Sequence, residues 1–155
     1  MKNIKQISLL SIFTIILLFS NTSCKDSDKY IDWKILNEKW LETHKSEPGF
    51  IQTESGLCYK VIHQGAMRRP NSASWIVANY TGKLIDGTQF DSGTYSSYLS
   101  GAIKGWQEGI LKMNGGGKYI FYIPADLGYG VDGSGTSIAP YSTLIFEVEL
   151  LDSYQ

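Results

Sequence analysis

Metal-binding and nucleophilic chemistry have little to work with in this chain. Its 155 residues include only two histidines and two cysteines. His44 and His63 lie far apart in sequence, with no Cys/His cluster beside either, so no metal site is visible. There is no Gly-Lys-Ser/Thr phosphate loop and no Gly-x-Ser-x-Gly elbow. No cofactor is expected. Charged residues make up 19% of the chain and form no basic stripe, so nucleic acid is not an expected partner. Internal repeats and low-complexity segments are absent.

The N-terminus has an apolar run, but a short one. Ile7 to Phe19 offers about a dozen apolar positions, against the ~20 that a spanning helix needs. With Lys2 and Lys5 ahead of it and small polar residues behind, residues 1–23 read as a secretory signal. Thr22-Ser23-Cys24 resembles a bacterial lipoprotein processing site, although Asn21 stands where an aliphatic residue is usual. Acylated Cys24 would hold the protein on a membrane, at roughly 0.8 kcal/mol per buried CH₂. Lys2 and Lys5 are two of the 14 basic residues; the 12 others stand beside 15 acidic ones, a formal net of −3. Cys58 then has no intrachain partner and reads as a small buried apolar residue in a strand.

Glycine is abundant, with 16 in the chain, which fits a β-rich fold with tight turns. Residues 25–155 suffice for one domain with a real core. Ser27 or Asp28 can cap a helix to about Thr43, with Trp33, Leu36 and Trp40 on one face. That face either packs on the main domain or forms a substrate- or partner-binding appendage. Leu57–Ile62 and Trp75–Leu84 read as strands, and Asp86-Gly87 as a hairpin leading into Thr88–Asp91. Gly101–Met113 reads as a short helix with Ile103, Trp106 and Ile110 on one side. Lys118–Ile123 alternates, and so does Leu144-Ile-Phe146-Glu-Val148-Glu-Leu150. The expected fold is α+β: a twisted antiparallel sheet wrapped around one short helix, with a short N-terminal helical extension.

Separated segments then fall in a telling order: Asn79-Tyr80-Thr81-Gly82, Asp86-Gly-Thr-Gln-Phe90-Asp91-Ser92, Ile103-Lys-Gly105-Trp106-Gln-Glu-Gly109, Ile123-Pro124-Ala125-Asp126-Leu127-Gly128-Tyr129-Gly130, and Thr143 to Leu151. Together, over roughly residues 56 to 151, they resemble the FKBP-type peptidyl-prolyl cis/trans isomerases. Taken with the N-terminal reading above, the chain divides into a lipoprotein signal (1–23), a lipid-anchored tether with a helix (24–55), and an isomerase domain (56–155) that the resemblance implies.

The resemblance implies a set of site residues. Trp106 is the indole floor of a proline pocket, and Tyr80, Phe90 and Phe146 are its aromatic walls. Ile103 offers a backbone N–H to a substrate carbonyl, with Ala102 beside it. Tyr129 donates its hydroxyl to a substrate carbonyl, Asp91 orients Tyr80 at the pocket edge, and Ile138 lies on an overhanging loop. The chain departs from the family pattern at Ala102, usually a larger aliphatic residue, and at Ile138-Ala139-Pro140, usually Ile-Pro-Pro. It departs also at Tyr95-Ser-Ser-Tyr98, where Tyr98 is the first candidate for an aromatic wall and Tyr95 the second. The implied partners are unfolded or proline-containing proteins of the bacterial cell envelope, and macrolides of the tacrolimus or rapamycin type as pocket ligands. The helical segment is short, so a monomer is expected. The alternative is a lipid-anchored chaperone or peptide-binding module with little turnover.

Overall fold

A computed structural model describes residues 29–154. The signal segment, Cys24, and Ser27 and Asp28 as candidate caps lie outside the described residues. None of the described helices is long and apolar enough to cross a membrane.

Six strands form a single sheet: β1 (Ile51–Gln52), β2 (Cys58–His63), β3 (Trp75–Lys83), β4 (Gln89–Tyr98), β5 (Lys118–Ile123) and β6 (Leu144–Tyr154). Their order is β1-β2-β5-β6-β3-β4, and every neighbouring pair is antiparallel. The alternation in β6 does what its pattern requires. Leu144, Phe146, Val148 and Leu150 are buried, while Glu147 and Glu149 face water. In β5, Tyr119, Phe121 and Ile123 join them in the core. Burying a side chain such as Phe121 contributes about 1.5–3 kcal/mol.

Helix α2 (Lys104–Ile110) packs on that core face of the sheet. It is shorter than the expected Gly101–Met113. Leu99–Gly101 forms a separate 3₁₀ turn, and Ala102 and Ile103 are extended before α2 begins. Helix and sheet meet closely because Gly109 faces the sheet. A Cβ there would lie 2.7 Å from the Phe121 ring.

Helix α1 (Ile31–His44) docks on the same domain. Its contact stripe differs from the expected one. Leu36 is exposed, and Asn37 is the buried position. The stripe runs Trp33, Asn37, Trp40, His44, the i, i+4, i+7, i+11 row of a helix. Trp40 stacks on His44 at 3.9 Å and lies 5.9 Å from the Tyr122 ring. Trp33 Nε1 donates to Ser142 Oγ at 2.9 Å, and the Thr143 N–H donates to Asn37 Oδ1 at 2.7 Å. A buried amide of this kind stabilises only when its polar atoms are paired. Asn37 satisfies this, since its Nδ2 also donates to the Trp33 carbonyl. The helix is packed, as the first of the two readings has it.

Cys58 is buried in β2, and burial pushes its thiol above the ordinary value. That suppresses the reactive thiolate.

Candidate active site

A half-open cavity of about 160 Å³ lies where β3, β4, β6, α2 and the loop after β5 converge. Tyr80 enters from β3, Phe146 from β6 and Trp106 from α2. Their rings meet at 5.4 to 6.0 Å, with Tyr80 and Phe146 nearly perpendicular to, or tilted against, their neighbours. Edge-to-face contacts of this kind fix each ring by its quadrupole as well as by packing. Trp106 is almost wholly buried, and its Nε1–H has no partner among the described residues.

A register shift shapes the rim. Gly82 pairs with Asp91 and Lys83 with Gln89, which leaves Phe90 between them without a partner. Consecutive strand residues normally point to opposite faces, and a bulge removes that restriction. Phe90 packs edge-on against Phe146 at 5.4 Å, while its neighbour Asp91 lines the cavity. Gly82 is needed beneath them: a Cβ there would lie 2.6 Å from the Phe90 ring and 2.8 Å from Phe146.

Asp91 is held on both oxygens. The Tyr80 hydroxyl donates to Oδ2 at 2.7 Å, and the Ser92 N–H donates to Oδ1 at 2.8 Å. Burial, and then this bond to the carboxylate, push the Tyr80 phenol from 10.0 up to about 12. Tyr80 is therefore a neutral donor at physiological pH.

Ala102 and Ile103 line the opposite side. The Ile103 carbonyl takes the N–H groups of Trp106 and Gln107, whereas its own N–H finds no partner among the described residues. The segment is braced by Gln107, whose Nε2 donates to the Ala102 carbonyl at 2.7 Å and the Ser100 carbonyl at 3.2 Å. Tyr129 lines the cavity from the loop and is part-exposed, its hydroxyl unbonded among the described residues.

Not every expected residue comes to the cavity. Phe90 is partly buried and packs edge-on with Phe146, without lining the cavity itself. Ile138 is buried in the core and bridges Ser134, again behind the lining. Tyr98 points away: it is 56% exposed and packs edge-on with Trp75. The aromatic from this strand that reaches the cavity is Tyr95, 5.4 Å from Trp106, with its hydroxyl spent on the Tyr98 carbonyl. Tyr95 and Tyr98 are three apart, so one faces in and the other out. Gly101 in the lining and Gln107 as a brace were not singled out from the sequence. Nothing local marks them, because their role depends on where the chain turns before α2.

An antiparallel sheet that seats a short helix, with an aromatic cavity at their junction and a carboxylate on its edge, defines an FKBP-like domain. The chain belongs to the FKBP-type peptidyl-prolyl cis-trans isomerase family, whose model matches residues 67–151. It is 45% identical over 119 residues to the FKBP-type 22 kDa peptidyl-prolyl cis-trans isomerase of Escherichia coli (strain K12), covering 74% of this chain and 58% of that protein. It is 36% identical over 139 residues to the outer membrane protein MIP of Legionella longbeachae, covering 86% and 60%. Among solved structures it is similar to FkpA from Escherichia coli, with a TM-score of 0.78 and 36% identity over 82% of this chain and 62% of that one. The chain spans about half the length of the curated relatives it matches.

Proposed function

We propose that this protein is a peptidyl-prolyl cis/trans isomerase acting on proteins of the bacterial envelope, anchored through acylated Cys24. The observation that carries the reading is the cavity itself: three aromatic rings around a space sized for a proline ring, with the unbonded Ile103 N–H and Tyr129 hydroxyl at its rim. Family membership supports it. The outer-membrane name of the Legionella longbeachae relative supports the location.

Rotation about an X–Pro bond is slow because amide resonance must be broken, at about 18–20 kcal/mol. No covalent bond to the enzyme is needed. In the twisted amide the carbonyl and nitrogen are decoupled, and charge separation across C–N falls. A dry, apolar pocket therefore favours it over the planar form. Trp106, Tyr80 and Phe146 hold the pyrrolidine ring. The Ile103 N–H and the Tyr129 hydroxyl fix the flanking carbonyls, so rotation is confined to the one bond. Asp91, fixed by the Ser92 N–H, holds the Tyr80 ring in place at the pocket edge by accepting its hydroxyl. A thousandfold acceleration needs only about 4 kcal/mol. Two or three hydrogen bonds of about 1 to 1.5 kcal/mol each, with the gain from a dry site, reach that. Macrolides of the tacrolimus or rapamycin type are pocket ligands in this reading, and the protein works as a monomer.

Exchange NMR on a short Ala-Pro peptide tests it. Substoichiometric protein should broaden and exchange the cis and trans resonances, and rapamycin should abolish the effect. Resonances unchanged by a folded protein would sink the isomerase reading and leave a binding module.

A further inference from the structure

Tyr129 reaches the cavity from a loop, yet it belongs to a continuous chain of bonds that starts on α1. The Tyr129–Gly130 corner is tied to the returning limb of the loop by the Tyr141 N–H, which donates to the Gly130 carbonyl at 2.9 Å. Tyr141 has φ +63, the one non-glycine residue in the left-handed region among those described. A bulky residue stays there only when its surroundings impose the conformation. The next two residues are the ones α1 holds: Ser142 by Trp33 Nε1, and the Thr143 N–H by the buried Asn37. Ser142 Oγ in turn donates to the Ala139 carbonyl at 2.7 Å, and the Lys34 ammonium sits 5.1 Å above the Tyr141 ring. The seam between α1 and this loop is not packed solid. A cavity of about 240 Å³ opens there, lined by Lys34, Asn37, Leu41, Pro124, Val131 and Tyr141 among others. Directed hydrogen bonds therefore carry much of what fixes one to the other.

We propose that α1 is a clamp on the pocket loop. Asn37 and Trp33 are positioning residues that force Tyr141 into its left-handed turn and thereby hold Tyr129 at the rim of the proline cavity. The proposal rests on the isomerase reading for its kinetic consequence, though the clamp itself is a statement about the loop. Releasing α1 lets Tyr141 relax, breaks its bond to Gly130, and frees the Tyr129 hydroxyl from the place where it meets a substrate carbonyl.

The test uses the full chain with Asn37→Leu, which keeps the branched shape and removes both amide bonds, and Trp33→Phe, which keeps a six-membered ring and removes the donor with part of the packing. Each is made in the wild type and in a Tyr129→Phe background. Two readouts are taken: kcat/KM on an Ala-Pro peptide, and amide hydrogen exchange at Tyr141, whose N–H makes the bond to Gly130, against β3. In the wild type, kcat/KM should fall about tenfold, the size of one lost hydrogen bond. In the Tyr129→Phe background the same change should cost less than about twofold, because the clamp acts through that hydroxyl. Exchange at Tyr141 should quicken about tenfold or more, with β3 unchanged. An equal loss in both backgrounds, or loop exchange that does not move, would overturn the proposal. If Asn37→Leu does not fold, Trp33→Phe carries the same comparison. If the wild type shows no turnover, the isomerase reading fails separately, and loop exchange alone decides for or against the clamp.

Discussion

Tyr80, Trp106 and Phe146 stand on β3, α2 and β6, where backbone groups are paired to a neighbouring strand or a helical turn. Tyr129 stands on a loop that runs from a 3₁₀ turn at Ala125–Leu127 to the start of β6, with one isolated bridge, Ser134 to Ile138, along its length. One side of the pocket is thus fixed by periodic structure and by rings locked edge to face. The other is fixed by turns within the loop, where the Gly130 N–H donates to the Ala125 carbonyl at 2.8 Å and the Gly133 N–H to the Tyr129 carbonyl at 3.2 Å, and by single bonds from α1 beside a left-handed Tyr141. The regular side should be stiff and costly to disturb. The loop side should be adjustable and separable from global stability. Substitutions that differ in which side they touch can break or sharpen that contrast.

The largest expected effect is on stability, from the regular side. Gly109→Val puts branched carbon into the Phe121 ring, where even a Cβ has only 2.7 Å. It should lower the unfolding free energy by about 1–3 kcal/mol or more, read by thermal melting. A melting temperature equal to the wild type would mean that α2 is not seated as described.

Next comes a kinetic effect without a stability one. Asp91→Ala removes the acceptor of the Tyr80 hydroxyl at the exposed rim. The bond is exposed and adds little to the fold, but without it the Tyr80 ring loses its place at the pocket edge, so kcat/KM should fall about tenfold in a protein that melts within a few degrees of the wild type.

The pattern of residues explains why the two sides differ so much in how easily they are read. Lys118–Ile123 and Leu144–Leu150 announce themselves by alternation, and Asp86-Gly87 announces its hairpin; all three form. β4 was expected to end at Asp91 but runs to Tyr98. Its Ser-Gly-Thr-Tyr-Ser-Ser stretch has a loop's composition, and only pairing with β3 makes it a strand. The same blindness to strand register placed Tyr98 ahead of Tyr95. The short β1 left no mark, since two residues show no period. Asn37 was invisible for a different reason. A polar residue on a helix reads as solvated until its partner, Thr143, is known to lie against it.

A smaller effect concerns ionisation. The Tyr80 value lies above its unfolded one, so the neutral phenol stabilises the fold fully below about pH 10, and that contribution is lost as pH rises through about 12. The difference between wild-type and Tyr80→Phe tyrosinate absorbance should titrate near 12. Asp91→Asn should move that midpoint down, because the carboxylate charge that disfavours the tyrosinate is gone. A midpoint that stays in place in Asp91→Asn would mean that Tyr80 is not engaged with Asp91.

The smallest effect separates the neighbouring tyrosines. Tyr98→Ser should leave kcat/KM within about twofold, as expected of a substitution that faces water. Tyr95→Leu, at the cavity and against Trp106, should lower it several-fold. The reverse ranking would mean that β4 is turned over at this point.

The most direct test of the account is a protease-coupled isomerisation assay on X–Pro peptides, with wild type, Asp91→Ala and Trp106→Leu side by side. The account predicts acceleration by the wild type that falls in both variants while all three remain folded. A folded wild type without acceleration, or equal rates in all three, would contradict it.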